Sequence, residues 1–180
     1  MKNIQGSQTE RNLLKTFAGE SRARNKYDLY AERARKEGYE WIADIFNCTA
    51  KNEYAHARES YSRYLGKVKT TELNLLDAAK GESEESLKIY KEFENTARSE
   101  GFDDIADFFK ELSEVEAHHE IRFLALYEKL KNGTIFKSDE VINWQCINCG
   151  YIHEGKEAPM VCPLCKFPRA YFKPACENYK

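Results

Sequence analysis

The stretch Glu114-Val115-Glu116-Ala117-His118-His119-Glu120 decides how this chain folds. It lies on a helix expected from about Asp104 to Lys131, whose inward positions read Phe108, Leu112, Val115, Glu116, His119, Phe123, Leu126 and Leu130. Spacings of three and four mark one face of an α-helix, so Glu116 and His119 point with the apolar stripe toward the core. A carboxylate placed there is costly unless it is paired or binds a cation. Glu53-Tyr54-Ala55-His56 repeats the arrangement earlier in the chain. A further glutamate precedes each pair by one helix, Glu20 before Glu53 and Glu82 before Glu116, at offsets of 33 and 34 residues. The two halves therefore read as copies of one helical hairpin.

Working outward, a first helix is expected from about Gln8 to Lys36, with Leu13, Phe17, Glu20, Arg24, Tyr27, Ala31 and Ala34 on one face. Gly38 closes it. A second runs from Glu40 to Leu65 with Ile42, Ile45, Thr49, Glu53, His56 and Tyr64 inward, and Gly66 stops it. Residues 67–74 read as a polar crossing over one end of a bundle. A third helix follows from Leu75 to Ser99, with Leu75, Ala78, Glu82, Glu85, Ile89 and Phe93 inward. The fourth is capped by Asp103 or Asp104 and ended by Gly133. Four long helices with short turns and one longer connection fit an all-α four-helix bundle.

After Gly133 the composition changes. Trp144-Gln145-Cys146-Ile147-Asn148-Cys149-Gly150-Tyr151 and Cys162-Pro163-Leu164-Cys165 sit among short Val, Ile, Tyr and Phe runs broken by Gly and Pro. This reads as a small β-rich domain, with a boundary that divides the chain into residues 1–136 and 137–180. Some forty residues cannot build an adequate apolar core, so a metal is expected to staple them.

Lys and Arg total 28 against 30 for Asp and Glu, interspersed, which gives no electrostatic argument for nucleic acid or a membrane surface as a partner. No apolar run approaches a transmembrane length, and the start lacks the apolar core of a signal peptide. Four of the six cysteines are paired as CxxC rather than scattered as a disulfide framework, which leads to the expectation of a reducing, cytoplasmic location.

Facing helices that each place a glutamate inward, two of them with His three residues on, can build a carboxylate-bridged dimetal site. The ligand set is Glu20, Glu53, His56, Glu82, Glu116 and His119, with Glu53 and Glu116 as bridges. Glutamate favours helices in any case, so one inward position alone would carry no weight, whereas six in register on four helices do. Glu85, one turn after Glu82, stands where the first helix has Ala23 and is either a seventh ligand or a surface residue beside Glu84. Cys146, Cys149, Cys162 and Cys165 supply four thiolates suited to tetrahedral iron or zinc, and composition does not separate the two metals.

The segments Phe17-Ala18-Gly19-Glu20-Ser21, Glu53-x-x-His56-Ala57, Ala79-x-Gly81-Glu82-x-x-Glu85 and Val115-Glu116-x-x-His119-Glu120-x-Arg122-Phe123 resemble the rubrerythrin family. So do Trp144-x-Cys146-x-x-Cys149-Gly150-Tyr151 and Cys162-Pro163-x-Cys165-x-x-Pro168-x-Ala170-Tyr171-Phe172. The resemblance covers nearly the whole chain. It implies a ferritin-like bundle with a non-haem diiron centre, followed by a rubredoxin-like domain with one iron on the four cysteines.

It also implies reduction of hydrogen peroxide to water. Electrons would come from NAD(P)H through a separate reductase, often via rubredoxin, and pass through the cysteine-bound iron. The family is usually dimeric. By the same resemblance, Glu85 and His56 exchange at one iron as the pair is reduced, and Tyr27 and Tyr90 lie beside the site; Glu85, His56 and Tyr27 are the catalytic expectation. An oxidase or ferroxidase using dioxygen, an iron-handling protein, and a non-catalytic zinc-knuckle protein are the competing readings. Cys48, a buried or half-buried bystander or a redox-sensitive thiol, Cys176, His118 and His153 fall outside the pattern.

Overall fold

The computed structural model describes residues 3–176, so the first two residues and the last four of the expected small domain lie outside the described residues. The chain divides into two compact units, residues 1–70 and 71–180. The first unit is a helical hairpin. Helix α1 spans Gln8–Lys36 and α2 spans Glu40–Arg58, continued by a π-helical segment Glu59–Tyr64. Ser7 caps α1 by accepting a hydrogen bond from the Glu10 amide, and Gly38 turns the chain at a φ of +85°. The seam between α1 and α2 is built from small residues: Ala31, Ala34 and Ala43 are buried and pack with Phe46. Alanine lets two helix backbones approach closely and costs no side-chain entropy.

The second unit repeats the hairpin and adds a sheet. Helix α3 spans Thr71–Glu84, a π-helical segment covers Glu85–Ile89, and α4 completes the same rod over Tyr90–Ser99. Helix α5 runs Asp103–Lys131 after a turn at Gly101, where φ is +83°. Ala79, Ala97 and Ala106 are buried along this seam, and the Ser113 hydroxyl donates to the Ser86 carbonyl at 2.7 Å across it.

Two sequence expectations are corrected here. The third helix starts at Thr71 rather than Leu75, so the polar crossing of residues 67–74 shrinks to a link of residues 65–70. Thr71, Glu72 and Asn74 lack apolar periodicity, yet Glu72 suits a helix's first turn, where the dipole favours an anion. Phe108, Val115 and Leu126, expected inward, keep 57%, 46% and 37% of their surface. Taken by itself, a two-helix hairpin has one seam, and only residues in that seam are buried.

The small domain is an antiparallel sheet in the order β2-β1-β3, with β1 at Lys137–Cys146, β2 at Ile152–Glu157 and β3 at Phe172–Pro174. Its core is Trp144, Cys146, Ala158, Cys162 and Phe172, flanked by Phe136, Ile142, Tyr151 and the other two cysteines. The indole N–H of Trp144 donates to the Gly155 carbonyl at 3.0 Å, so the largest buried side chain leaves no unpaired donor.

Gly150 sits at a φ of +79°, and a Cβ there would meet nothing within 4 Å. Gly150→Ala is therefore expected to cost about 1 kcal/mol through backbone conformation alone, read as a lowered melting temperature of the metal-loaded protein. An unchanged melting temperature would show that the knuckle relaxes its backbone.

Candidate metal centres

In the sheet domain two turns present the cysteines as matched knuckles. The Gly150 amide donates to the Cys146 carbonyl at 2.8 Å, and the Lys166 amide to the Cys162 carbonyl at 3.0 Å. Both donors have positive φ, and Lys166, at 62°, adopts it without being glycine. The second knuckle thus accepts some backbone strain to reproduce the first. Sulfur-to-sulfur separations are 3.8 Å for Cys146 and Cys165 and 3.7 Å for Cys149 and Cys162. A tetrahedral ion with metal–sulfur bonds near 2.3 Å requires ligand separations of about 3.8 Å. The four thiolates thus stand where one tetrahedral metal needs them.

Backbone amides complete the knuckles, Tyr151 N–H toward the Cys149 sulfur and Phe167 N–H toward that of Cys165. The Phe167 amide leads in holding the Cys165 thiol down at about 6. At Cys149 the Tyr151 amide pulls the same way, but burial and the neighbouring sulfurs prevail and push the thiol up to about 12. The cluster without metal therefore keeps protons that a cation displaces on binding.

Each helical hairpin carries one acidic triad. Glu20, Glu53 and His56 come together in the first unit, and Glu82, Glu116 and His119 in the second, with possible ligand atoms within 4.8 Å of one another in each group. His56 Nδ1 lies 2.9 Å from Glu53 Oε2. His119 Nδ1 lies 2.7 Å from Glu116 Oε2 and 3.7 Å from Glu82 Oε2. The i,i+3 spacing produces these contacts directly, because residues three apart stack on one helix face. Glu116 is buried; the glutamates of both triads otherwise lie half-buried. Two carboxylates and an imidazole converging on one point form a hard-to-borderline donor set suited to iron or manganese. The triads and the four-cysteine cluster are together consistent with a diiron centre plus one cysteine-bound iron.

The repeat explains the unequal offsets. Tyr27 stacks on Phe46 at 6.2 Å, and Tyr90 stacks on Phe109 at 6.2 Å, so these pairs are equivalent at an offset of 63 residues. Glu20 and Glu82, however, are 62 apart. The additional residue of the second hairpin is taken up by the π-helical turn Glu85–Ile89, which begins at Glu85 itself. Such one-residue expansions of an α-helix recur at functional sites. Tyr90, just past the turn, places its hydroxyl 3.4 Å from Glu85 Oε2. Burial, and then the negative charge of Glu85, keep the Tyr90 phenol protonated beyond the ordinary range, so it stays a donor.

Sequence reasoning missed Ser113 and Ser86. Their signal lay in the repeat, since Ser113 stands where the first hairpin has Ala50. Cys48, expected buried or half-buried, is exposed, because it faces away from the alanine seam. His118 is exposed, as its position 100° from His119 implies, and His153 is half-buried on β2.

Glu20 and Glu82 hold their protons above the usual carboxyl range. Burial is the main cause, followed by the hydrogen bond and negative charge of Glu53 or Glu116. A carboxyl raised on folding binds more protons when folded, so its stabilising effect is present below the unfolded pKa and is lost as pH rises through the folded one. Metal-free protein carrying Glu20→Gln and Glu82→Gln is therefore expected to melt higher than the parent near pH 7, with the gain gone by about pH 4. Thermal melts across that range check this; a pH-independent difference would mean that the carboxyl pairs are not in conflict.

Residues 11–73 and 73–144 match the family described as Rubrerythrin, and residues 144–173 match the rubrerythrin rubredoxin-like domain. The chain is 45% identical to a rubrerythrin of Porphyromonas gingivalis, over 99% of this chain and 95% of the relative. It is 44% identical to rubrerythrin-1 of Clostridium acetobutylicum, over 99% of this chain and 100% of the relative. A solved structure of nigerythrin in a partially reduced state is 32% identical, over 97% of this chain and 89% of that one, with a TM-score of 0.37. Matched along nearly its whole length, the chain belongs to the rubrerythrin family, whose members join a ferritin-like four-helix region to a small rubredoxin-like domain.

Proposed function

We propose that this chain is a peroxidase that reduces hydrogen peroxide to two waters, with electrons entering through the four-cysteine site. The observation that carries the reading is the coexistence, on one chain, of two Glu/Glu/His triads and a tetrahedral cysteine cluster. A ferroxidase or iron store has no use for a dedicated electron relay, and a zinc-knuckle protein has no use for the triads. Glu20, Glu53, His56, Glu82, Glu116 and His119 are the residues that would hold two irons. Cys146, Cys149, Cys162 and Cys165 would hold the third. When bound, the ferrous pair supplies the two electrons that, with two protons, convert peroxide to water.

The chain's own groups hold and position. His56 and His119 are each fixed by the glutamate one turn earlier, so their Nδ1 atoms converge with the carboxylates. Glu85 and His56 would each offer a ligand to one of the two irons, Glu85 the harder carboxylate that suits the oxidised metal and His56 the imidazole that suits the reduced one. The Glu85 carboxylate accepts from the Tyr90 hydroxyl, which restrains it without adding charge. Tyr27, the equivalent of Tyr90 in the first hairpin, stacks on Phe46 and is the third residue assigned to catalysis. The external donor is rubredoxin or an NAD(P)H-dependent reductase, and the working unit is a homodimer. A reducing cytoplasm is the location that suits four cysteines paired as CxxC for a metal rather than scattered as a disulfide framework. No helix among the described residues is long and apolar enough to cross a membrane.

Protein made with ample iron is expected to contain about three irons per chain and to be red from thiolate-to-iron charge transfer. Zinc as the sole metal on the cysteines would remove the relay. Cys149→Ser is expected to abolish donor-driven turnover while prereduced protein still consumes one equivalent of peroxide. Full steady turnover in that variant would place electron arrival elsewhere.

Glu85→Ala is expected to lower peroxide turnover by about 10- to 100-fold and to weaken the oxidised pair more than the reduced one. Stability should change by no more than about 0.5 kcal/mol. Iron retention and turnover measured in both oxidation states decide it, and unchanged turnover would reduce Glu85 to a surface residue.

A further inference from the structure

We propose that Ser113 is a positioning residue for Glu85: its hydroxyl stands in for a helical amide at the Ser86 carbonyl and so pins the π-helical turn that Glu85 opens. The part played in turnover rests on the reading that Glu85 serves the iron pair, whereas the hold on the turn stands without it.

A helix that widens by one residue and then narrows again leaves one carbonyl without an amide to receive. In this turn the Tyr90 amide bonds to the Glu85 carbonyl, whereas a regular α-helix would give it to the carbonyl of Ser86. Helix α4 resumes at Tyr90, so the Ser86 carbonyl is the one passed over. Ser86 is only 2% exposed, and a carbonyl left unpaired there would carry its full desolvation cost. Ser113, on α5 and also buried, donates to that carbonyl at 2.7 Å, an ordinary length for a hydroxyl donor.

Thr16, Thr49, Ser60 and Thr96 each donate to a carbonyl of their own helix three or four residues back. Ser113 crosses to the neighbouring rod instead, and the first hairpin shows why. At the offset of 63 residues that relates Tyr90 to Tyr27, Ser86 and Ser113 correspond to Ala23 and Ala50. Helix α1 passes this level in regular α form, with no carbonyl to spare, and alanine stands at both places. The donor is present where the turn widens and absent where it does not.

Helix α5 holds the turn at two points one helical turn apart. Phe109 stacks on the Tyr90 ring at 6.2 Å, and Ser113, four residues later, holds the Ser86 carbonyl. These grips bracket residues 86–90, the stretch that follows Glu85. With both in place the added residue is taken up there, and Glu85 Oε2 stays 3.4 Å from the Tyr90 hydroxyl. With the Ser86 carbonyl released, the wide turn is free to shift along the helix to a level where water reaches the spare carbonyl. Such a shift turns Glu85 about the helix axis relative to Glu82 and Tyr90.

The test is Ser113→Ala, Glu85→Ala and their combination in the full-length, iron-loaded protein. Ser113→Ala removes the donor without adding bulk, and alanine already serves at the equivalent Ala50, so the fold is kept. It is expected to lower the melting temperature of the helical region, followed by circular dichroism, by about 2 to 8 °C. Turnover per bound iron pair is expected to fall about 10-fold. Added to Glu85→Ala, the same substitution is expected to lower the melting temperature as before but turnover by less than about two-fold, because its effect on the chemistry passes through Glu85.

An unchanged melting temperature in Ser113→Ala overturns the hold on the Ser86 carbonyl. Normal turnover in Ser113→Ala, or a loss that multiplies in full with that of Glu85→Ala, overturns the positioning of Glu85. Wild-type protein that binds iron but leaves peroxide untouched would instead overturn the peroxidase reading. The absorption of the oxidised pair then takes the place of turnover: it is expected to shift in Ser113→Ala and not to shift again between Glu85→Ala and the double variant. A further shift in the double variant contradicts the positioning role directly.

Discussion

Everything in the helical part depends on carboxylates forced against one another. Glu20 shares a hydrogen bond with Glu53, and Glu82 does so with Glu116, each pair at least half-buried. Two carboxylates in such proximity cannot both ionise cheaply, and burial raises the cost further. A cation relieves the conflict, which is why an arrangement that is poor for a metal-free helix serves as a metal site. The surrounding seam of alanines gives up side-chain contact area so that the helices come close enough to bring the carboxylates together. Stability has been exchanged for a preorganised donor set, as is common where function breaks a folding rule.

The small domain solves the opposite problem. Its sheet has three short strands and a five-residue buried core, too little apolar material to hold itself folded. Four sulfurs set for a tetrahedral ion supply the missing cohesion. The knuckle amides that point at Cys149 and Cys165 also stabilise the thiolate form, so the same hydrogen bonds that shape the turns favour metal binding and tune the bound metal. Fold cohesion and metal binding are thus carried by one set of contacts.

The repeat is where sequence and structure inform each other most. Offsets of 33 and 34 were visible as an irregularity, and the natural pairing of Glu85 with Ala23 treated the helices as uniform. The stacking pairs Tyr27 with Phe46 and Tyr90 with Phe109 show that the registers agree after the π-helical turn and differ by one before it. Glu85 is therefore no simple substitution in a copied helix. It opens the turn that absorbs an inserted residue, and the insertion brings Tyr90 within reach of its carboxylate.

The sequence by itself determined the helical hairpins, the two triads and the cysteine knuckles, because each follows from local geometry. Residues three or four apart share a helix face whatever surrounds them, and CxxC turns aim two sulfurs the same way. The tertiary structure alone decided the features without a local signature. A π-helical turn has no distinctive composition, since it arises where packing on both sides fixes a helix that is one residue too long. The link contracted from residues 67–74 to 65–70 because Thr71, Glu72 and Asn74 carry no apolar period, although they are helical. Cys48 proved exposed, and Ser113 proved to reach Ser86, for the same reason. Both depend on which face of a helix the alanine seam selects, and that choice is made by the partner helix rather than by the residues beside them in the chain.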